Sequence, residues 1–338
     1  MSIDDRFEDL VASLGGFYRT WLVDLGMELG LFAALRDAGE EGLTPDELAE
    51  RARIHPLSAR YFAWAADAHD LVVFEDGRVT SIDDVATILL DADRPEYLGG
   101  QFLHATTASL DYAGLVEFFR TGRPIEHRPD RYRVAIERLT VQDVAVFFQE
   151  VLAAEPQLVA DLRPGSRIVD VHCGGGRWLI AMARQFPGTE LVGIEFEPDS
   201  IARAQANVEA AGLADRIRIE PRDATKIAHP GEFDLAYFQY ALHQLDDPAN
   251  AIRAAWAAIR PGGRIVALDW YLPSDPAEFR SRHGELIAGV QLDELYQGTR
   301  LVRRQEALAW FEQAGVPAPA LLDLPSGATA IIATRTAT

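Results

Sequence analysis

The chain has 338 residues, nearly half of them apolar, which is enough for a real core and suggests two domains. Its 52 acidic residues against 32 Lys and Arg give a net charge of -20, so nucleic acid is a poor partner unless one face is locally basic. The single cysteine, Cys173, excludes an internal disulfide and fits a reducing compartment. No apolar run approaches the roughly 18 residues of a membrane span, and MSIDDRFEDL lacks the basic-then-apolar order of a secretory signal. These features lead us to expect a cytoplasmic protein with no membrane partner.

Residues up to about 120 read as helical. Trp21, Leu25, Leu29 and Phe32 recur at helical spacing and predict one buried stripe. LTPDELAERA starts a helix, with Thr44 as N-cap, Pro45 in the first turn, and Asp46 and Glu47 complementing the dipole. The next helix runs from about Leu57 to His69, with Leu57, Tyr61, Trp64 and Ala68 on one face. LVVFEDGRVTSI then places Asp76-Gly77 between two β-prone runs, a strong hairpin signal. Helix, turn, helix and hairpin is the winged-helix order. From Thr44 to Ser81 the basic residues are only Arg51, Arg53, Arg60 and Arg78, against Asp46, Glu47, Glu50, Asp67, Asp70, Glu75 and Asp76. A DNA reader needs cations to neutralise phosphates, so a packing or dimerisation module is expected.

TGRPIEHRPD, rich in Pro, Gly and charge, reads as a linker. The predicted division is residues 1–120, a linker at 121–130, and a second domain at 131–338. A helical stretch from Arg131 to Ala154 carries Val144, Phe147, Phe148 and Val151. From Arg167 the pattern changes. RIVDV, ELVGIE, RIRIE, FDLAYFQ and RIVALDW alternate with helical segments beginning near Gly175, Pro198 and Pro248, which predicts a parallel sheet covered on both faces. PALLDL and ATAIIATR, joined through Pro325-Ser326-Gly327, add an antiparallel edge. The expected class is α/β, a Rossmann-like doubly wound sheet behind a mostly helical winged-helix domain.

In such a sheet, ligands bind beyond the carboxyl ends of the strands. RIVDVHCGGGRW places Gly174, Gly175 and Gly176 beyond the first strand, where bare backbone permits positive φ and close approach. An NAD site fits poorly. Its fingerprint wants a small sixth residue and this chain has Leu179, while Asp170 would repel a pyrophosphate. No Gly-Lys-Ser/Thr follows, which excludes a Walker-type loop. S-adenosylmethionine carries an ammonium and a sulfonium and no phosphate. Asp170 suits the ammonium end, through water or the loop backbone. Glu195, ending the second strand, suits the ribose hydroxyls. Asp223, after the third strand, suits the adenine amino group.

The motifs VDVHCGGG, VGIE, PRDA and FDLAYFQYALHQLDDPANAIRAAWAAIRPGGRIVALD resemble those of class I S-adenosylmethionine-dependent methyltransferases. YRTWLVDLGMELGLFAAL and LTPDELAERA resemble the N-terminal winged-helix dimerisation domain of bacterial and plant small-molecule O-methyltransferases. The resemblance implies a seven-stranded sheet, S-adenosyl-L-methionine as cofactor, a small-molecule acceptor, and a homodimer formed through the N-terminal domain. It adds Ala224 and Gln239 to the cofactor-binding set of Asp170, His172, Gly174, Gly176, Glu195 and Asp223. One departure stands out. The family's pattern has Gly where this chain has His172, which either closes over the methionyl part of the cofactor or only adjusts the loop.

In related plant-type enzymes a histidine matching His243 acts as general base, within a His-Asp-Trp stretch that here reads His243-Gln244-Leu245. A base role and a substrate-lining role both remain open for His243. RSRHGELIAGVQLDELYQGTRLVRRQEALAWFEQAGV resembles the helix-loop-helix lining the acceptor pocket, with Gln291, Glu294 and Tyr296 in its polar-aromatic stretch. Glu294 is expected either to orient His243 or to be a solvated charge. A metal-assisted C-methylation of a keto acid would draw on His243 with Asp246, Asp247, His283 or Glu294, but no tight ligand spacing supports it, and no metal is expected. The expected activity is methylation of a small hydroxylated metabolite, with oxygen ahead of nitrogen and carbon as acceptor. Two alternatives are a winged-helix regulator that senses S-adenosylmethionine, and a protein that keeps the cofactor but has lost methyl transfer.

Overall fold

The computed structural model describes residues 2–336. The chain divides into two compact units, Met1–Gly114 with His127–Ala145, and Leu115–Glu126 with Val146–Thr338.

The first unit opens with α1 (Ile3–Glu28), α2 (Leu31–Ala38), α3 (Pro45–Ala52) and α4 (Pro56–Asp67). The hairpin of β1 (Val72–Glu75) and β2 (Arg78–Ser81) follows, then α5 (Asp83–Leu90) and α6 (Gly99–Ser109). α3 starts on a capping box. The Glu47 N–H donates to Thr44 Oγ1 at 3.2 Å, and the Thr44 N–H donates to Glu47 Oε2 at 2.8 Å. Asp76 and Gly77 both have positive φ, 51° and 76°, as a two-residue hairpin turn requires. The core gathers Leu22, Val23, Phe32, Leu35, Leu48, Phe62 and Val79.

Two helical faces differ from expectation. In α1 the buried residues are Leu22, Val23 and Gly26, while Leu25 and Leu29 are exposed. The Phe32 ring lies against Gly26 and leaves no room for a Cβ there, so the helix turns its small residue inward. In α4 the core side is Ala59, Phe62, Ala63 and Ala66. Leu57, Tyr61 and Trp64 are more than half exposed, and Ala68 is exposed as well. The physical reason is the same, since small residues permit close helix packing and the bulky stripe points outward.

The expected linker does not run free. α7 (Leu115–Thr121) and the residues up to Glu126 belong to the second unit, where the Ile125 N–H donates to the Tyr296 carbonyl at 2.8 Å. α8 (Asp130–Leu139) belongs to the first unit, burying Tyr132 and Ala135. Gly100 of α6 lies against the Arg138 carbonyl with no space for a side chain. The helix expected from Arg131 to Ala154 is broken into α8, α9 (Val141–Val146), a π-helical turn (Phe147–Val151) and α10 (Leu152–Ala154), with α11 (Pro156–Asp161) beyond.

The second unit is built on one seven-stranded sheet. Its strands are β3 (Arg167–Val171), β4 (Glu190–Glu195), β5 (Ile217–Pro221), β6 (Phe233–Gln239), β7 (Ile259–Asp269), β8 (Ala320–Asp323) and β9 (Thr329–Thr334). The order is β5-β4-β3-β6-β7-β9-β8, with β3 to β7 parallel and β8 and β9 antiparallel at one side. The covering helices include α12 (Arg177–Gln185), α13 (Pro198–Ala210), α14 (Pro248–Ala258), α15 (Arg282–Gln297) and α16 (Arg304–Gln313). The strand order reverses between β3 and β6, which creates the crevice where an open parallel sheet binds ligands. Near-continuous apolar strands such as FDLAYFQ, buried over six of seven positions, are what a doubly covered sheet demands. Among the described residues no helix is long and apolar enough to cross a membrane.

Gly193, in the middle of β4, positions the first loop of the site. A Cβ there would stand 2.6 Å from Cys173 Sγ, 2.8 Å from Leu179 and 2.9 Å from Ile219. Gly193→Ala is therefore expected to lower unfolding stability by about 1–3 kcal/mol, the usual cost of overpacking. Chemical denaturation of the parent and the variant checks it.

Candidate cofactor and catalytic site

The loop after β3 turns on three residues of positive φ, His172 at 64°, Gly174 at 52° and Gly176 at 71°. Gly176 is the N-cap of α12, and a Cβ on it would touch Ala204 of α13 at 3.5 Å. A Cβ on Gly174 would meet nothing within 4 Å, so that stretch of backbone is open to a ligand. The His172 and Cys173 N–H groups both donate to the Ile194 carbonyl, at 2.8 and 3.1 Å, and so fasten the loop to β4.

Glu195, at the end of β4, is 1% exposed. Its Oε2 accepts from the Gly174 N–H at 2.9 Å, and its Oε1 from the Phe196 and Glu197 N–H groups at 2.8 and 3.0 Å. His172 Nδ1 lies 3.5 Å from the same Oε2, and its ring runs nearly parallel to that of Phe196. Asp170 is buried on β3. Burial pushes its carboxyl well above the usual range, and the like charge of Glu195 pushes it further. Direct contacts thus join His172, Gly174 and Glu195, with Asp170 coupled through charge.

Asp223, after β5, is exposed. Its Oδ1 accepts from Thr225 Oγ1 at 2.6 Å and from the Thr225 N–H at 2.7 Å, and these bonds hold its carboxyl low. Ala224 beside it is buried. Gln239 is the last residue of β6. All of these residues stand on the carboxyl edge of the sheet.

His243 follows β6 in the short turn Leu242–Gln244, reached through Tyr240 at φ 48°. Its Nδ1 bonds Asp269 Oδ2 at 2.8 Å, and Asp269 Oδ1 accepts from the Trp270 N–H at 2.9 Å. Both side chains are almost fully buried. Glu294 of α15 approaches the other ring nitrogen, Nε2, with 3.7 Å between Nε2 and Oε2. Nε2 makes no hydrogen bond with the described residues. Burial disfavours the imidazolium, but the charge and hydrogen bond of Asp269, helped by Glu294, outweigh it and raise the His243 pKa to about 9.

Asp269 therefore makes the hydrogen bond that orients the ring, with Glu294 at ion-pair range of its far side. Sequence alone does not single out Asp269, although a signal is present, since RIVALD ends in an acid just as ELVGIE does. Glu294 stands at ion-pair range and also accepts from Thr299 Oγ1. Gln291 Oε1 accepts from the Leu301 N–H at 2.8 Å, a structural role. Tyr296 is buried and meets the Phe118 ring at 5.8 Å between centroids. The ligand set of the metal alternative does not assemble. Asp247 caps α14 through the Asn250 N–H, His283 lies against Trp270, and among the described residues no three His, Cys, Asp or Glu side chains converge on one point.

NMR titration should find the His243 imidazole near pH 9 in the ligand-free protein, and Asp269→Asn should return it toward the ordinary 6.5. The folded pKa lies above the unfolded one. The pair's contribution to stability is therefore complete below about pH 6.5 and lost as pH rises through about 9.

Residues 168–263 match a family described as Methyltransferase domain. The 27-O-demethylrifamycin SV methyltransferase of Amycolatopsis mediterranei is 32% identical over 141 residues, 39% of this chain and 52% of the relative. A demethylmenaquinone methyltransferase of Lactiplantibacillus plantarum is 31% identical over 118 residues, 34% of this chain and 49% of the relative. The chain thus spans about half the length of these curated relatives. Among solved structures, PigF with SAH superposes with a TM-score of 0.74 at 20% identity, covering 97% of this chain and 98% of that one. The mitomycin 7-O-methyltransferase MmcR does so with 0.69 at 21%, covering 98% of each. These likenesses run through both units and show a shared fold.

Proposed function

We propose that this chain, with the fold of class I S-adenosylmethionine-dependent methyltransferases, transfers a methyl group to a hydroxyl of a small metabolite, with His243 as general base. The observation that carries the reading is a single sheet edge bearing both a carboxylate-lined glycine loop after β3 and, after the neighbouring strand β6, a buried imidazole whose Nε2 makes no hydrogen bond with the described residues.

The residues present fit the cofactor. Asp170 is the penultimate residue of β3, Glu195 ends β4 and Asp223 follows β5, a set that disfavours a phosphate ligand and suits hydroxyls and an ammonium. Gly174 leaves its backbone open. Asp170 and Glu195 would serve the methionyl and ribose parts, Asp223 the adenine, with Ala224, Gln239, Gly176 and His172 around them. When bound, S-adenosylmethionine supplies a methyl already activated on a sulfonium.

The chain's own work is to orient the acceptor and take its proton. Asp269 holds the His243 ring through Nδ1, which leaves Nε2 for the acceptor hydroxyl. Neutral His243 can take that proton, and Asp269 and Glu294 stabilise the imidazolium that results. Because these carboxylates favour the protonated ring, activity should rise with pH toward about 9. Glu294 is a positioning residue at the Nε2 side.

The partner is a second copy of the chain. Along α1, Ile3, Phe7, Leu10, Leu14 and Phe17 are exposed at alternating spacings of four and three, the seam by which helices pair. The exposed Leu57, Tyr61 and Trp64 of α4 add to the apolar surface of this unit. Light scattering should report a dimer for the parent and a monomer for Leu10→Glu with Leu14→Glu.

Methyl transfer is tested by incubating the protein with methyl-deuterated S-adenosylmethionine and a mixture of small hydroxylated aromatics, read by mass spectrometry. A labelled product is expected from the parent. His243→Ala should lower kcat by about 10²–10⁴-fold while leaving cofactor affinity within about twofold.

A further inference from the structure

β6 and β7 end side by side, and an aromatic ring stands just beyond each. Tyr240 follows β6, and its N–H donates to the Leu268 carbonyl of β7 at 2.8 Å. Trp270 follows β7 directly. The two rings meet edge to face, with 5.7 Å between centroids and 83° between planes. Tyr240 holds φ at 48°, a conformation that is strained for a bulky side chain and that clusters at binding sites. The Trp270 ring also meets His283 of α15 at 6.4 Å.

The Trp270 ring is half-buried, yet its Nε1 is shielded from water and makes no hydrogen bond with the described residues. A shielded N–H without an acceptor is costly, and native structures leave few of them without cause. Trp178 also leaves Nε1 unbonded, but its ring is 2% exposed and stacked on Tyr237 at 4.2 Å, where core packing accounts for it. Trp270 stands instead at the sheet edge, beside the base. One carboxylate fixes both groups. Asp269 Oδ2 holds the His243 ring at 2.8 Å, and Oδ1 accepts from the Trp270 backbone N–H at 2.9 Å. His243 Nε2 is likewise shielded and without a hydrogen bond among the described residues. The ends of these two strands thus carry two side-chain nitrogens without protein partners, one that can take a proton and one that can only donate.

We infer that Trp270 is a specificity-determining residue for the acceptor, its indole N–H donating to a second oxygen of the molecule whose hydroxyl is methylated at His243. The inference rests on the methyl transfer proposed above. The second oxygen must offer a lone pair, as a ketone carbonyl does, because the indole has a proton to give and no lone pair to share. A flat aromatic molecule matches the Tyr240 and Trp270 rings, which favour offset and edge-on contacts. The acceptor class is therefore an aromatic hydroxy-ketone, and a plain alkylphenol is the class refused. The alkylphenol is disfavoured because it leaves the Trp270 N–H without a partner in a site closed to water.

The test uses full-length protein with isotope-labelled tryptophan, saturated with S-adenosylhomocysteine. The probes are ortho- and para-hydroxyacetophenone, each beside the isopropylphenol of the same substitution and nearly the same shape. The Trp270 indole signal is assigned through its nuclear Overhauser contacts with the Tyr240 ring. In the parent, at least one ketone should bind at least tenfold tighter than its matched isopropylphenol. That ketone should move the Trp270 indole proton downfield, and the isopropylphenol should not. In Trp270→Phe, which keeps an aromatic ring against Tyr240, the two affinities should come within twofold of each other, with isopropylphenol affinity within twofold of the parent. A parent that binds neither ketone more tightly than its isopropylphenol overturns the inference. So does a preference that survives in Trp270→Phe. Ketone binding that leaves the Trp270 indole proton unmoved overturns it as well, and that result is read in the parent alone, whether or not the variant folds. A parent that transfers no deuterated methyl to any hydroxylated aromatic overturns the methyl-transfer reading, and this inference with it.

Discussion

The Glu195 carboxylate is the knot on which the site depends. A charged group that is 1% exposed must be paid back in hydrogen bonds. It receives them from the Gly174, Phe196 and Glu197 N–H groups. The bond to Gly174 ties the end of β4 to the loop after β3 and so fixes the open backbone beside it. Gly193 in the same strand makes room for Cys173, and the two contacts together decide how close the loop lies to the sheet. Asp170 sits behind this knot, where burial and the charge of Glu195 both oppose its ionisation. A cationic ligand would relieve that opposition, which is the electrostatic argument for an ammonium in the crevice.

The same sheet edge builds the second half of the site by a different device. β6 and β7 are parallel neighbours, so their carboxyl ends emerge side by side. β7 ends at Asp269 and β6 runs into the turn carrying His243, which brings acid and imidazole to 2.8 Å. α15 then supplies Glu294 from a different element. An imidazole held by two carboxylates is a strong base that rests protonated, and this explains why chemistry at Nε2 should favour alkaline solution.

Much of this was legible in the sequence because the signals are local. ELVGIE ends in an acid, RIVDV carries one just before its end, and three glycines follow RIVDV within five residues, so sheet and loop can be read from short windows. The His243–Asp269 pair spans 26 residues and needs the register of two strands, which composition does not carry. The inward faces of α1 and α4 differ from the sequence expectation for another reason. Both helices carry two apolar faces, and periodicity alone cannot say which is buried. The small residues Gly26, Ala63 and Ala66 mark the core side, while Leu25, Tyr61 and Trp64 mark the outside. TGRPIEHRPD reads as a boundary by composition, but bonds such as that from Ile125 to Tyr296 assign its first part to the second unit.

The most direct measurement is calorimetric titration of the full-length protein with S-adenosylmethionine, beside Glu195→Gln. Binding by the parent, weakened at least tenfold in the variant (about 1.4 kcal/mol), is the predicted result. A folded parent that does not bind, or a folded variant that binds as tightly as the parent, would contradict the account.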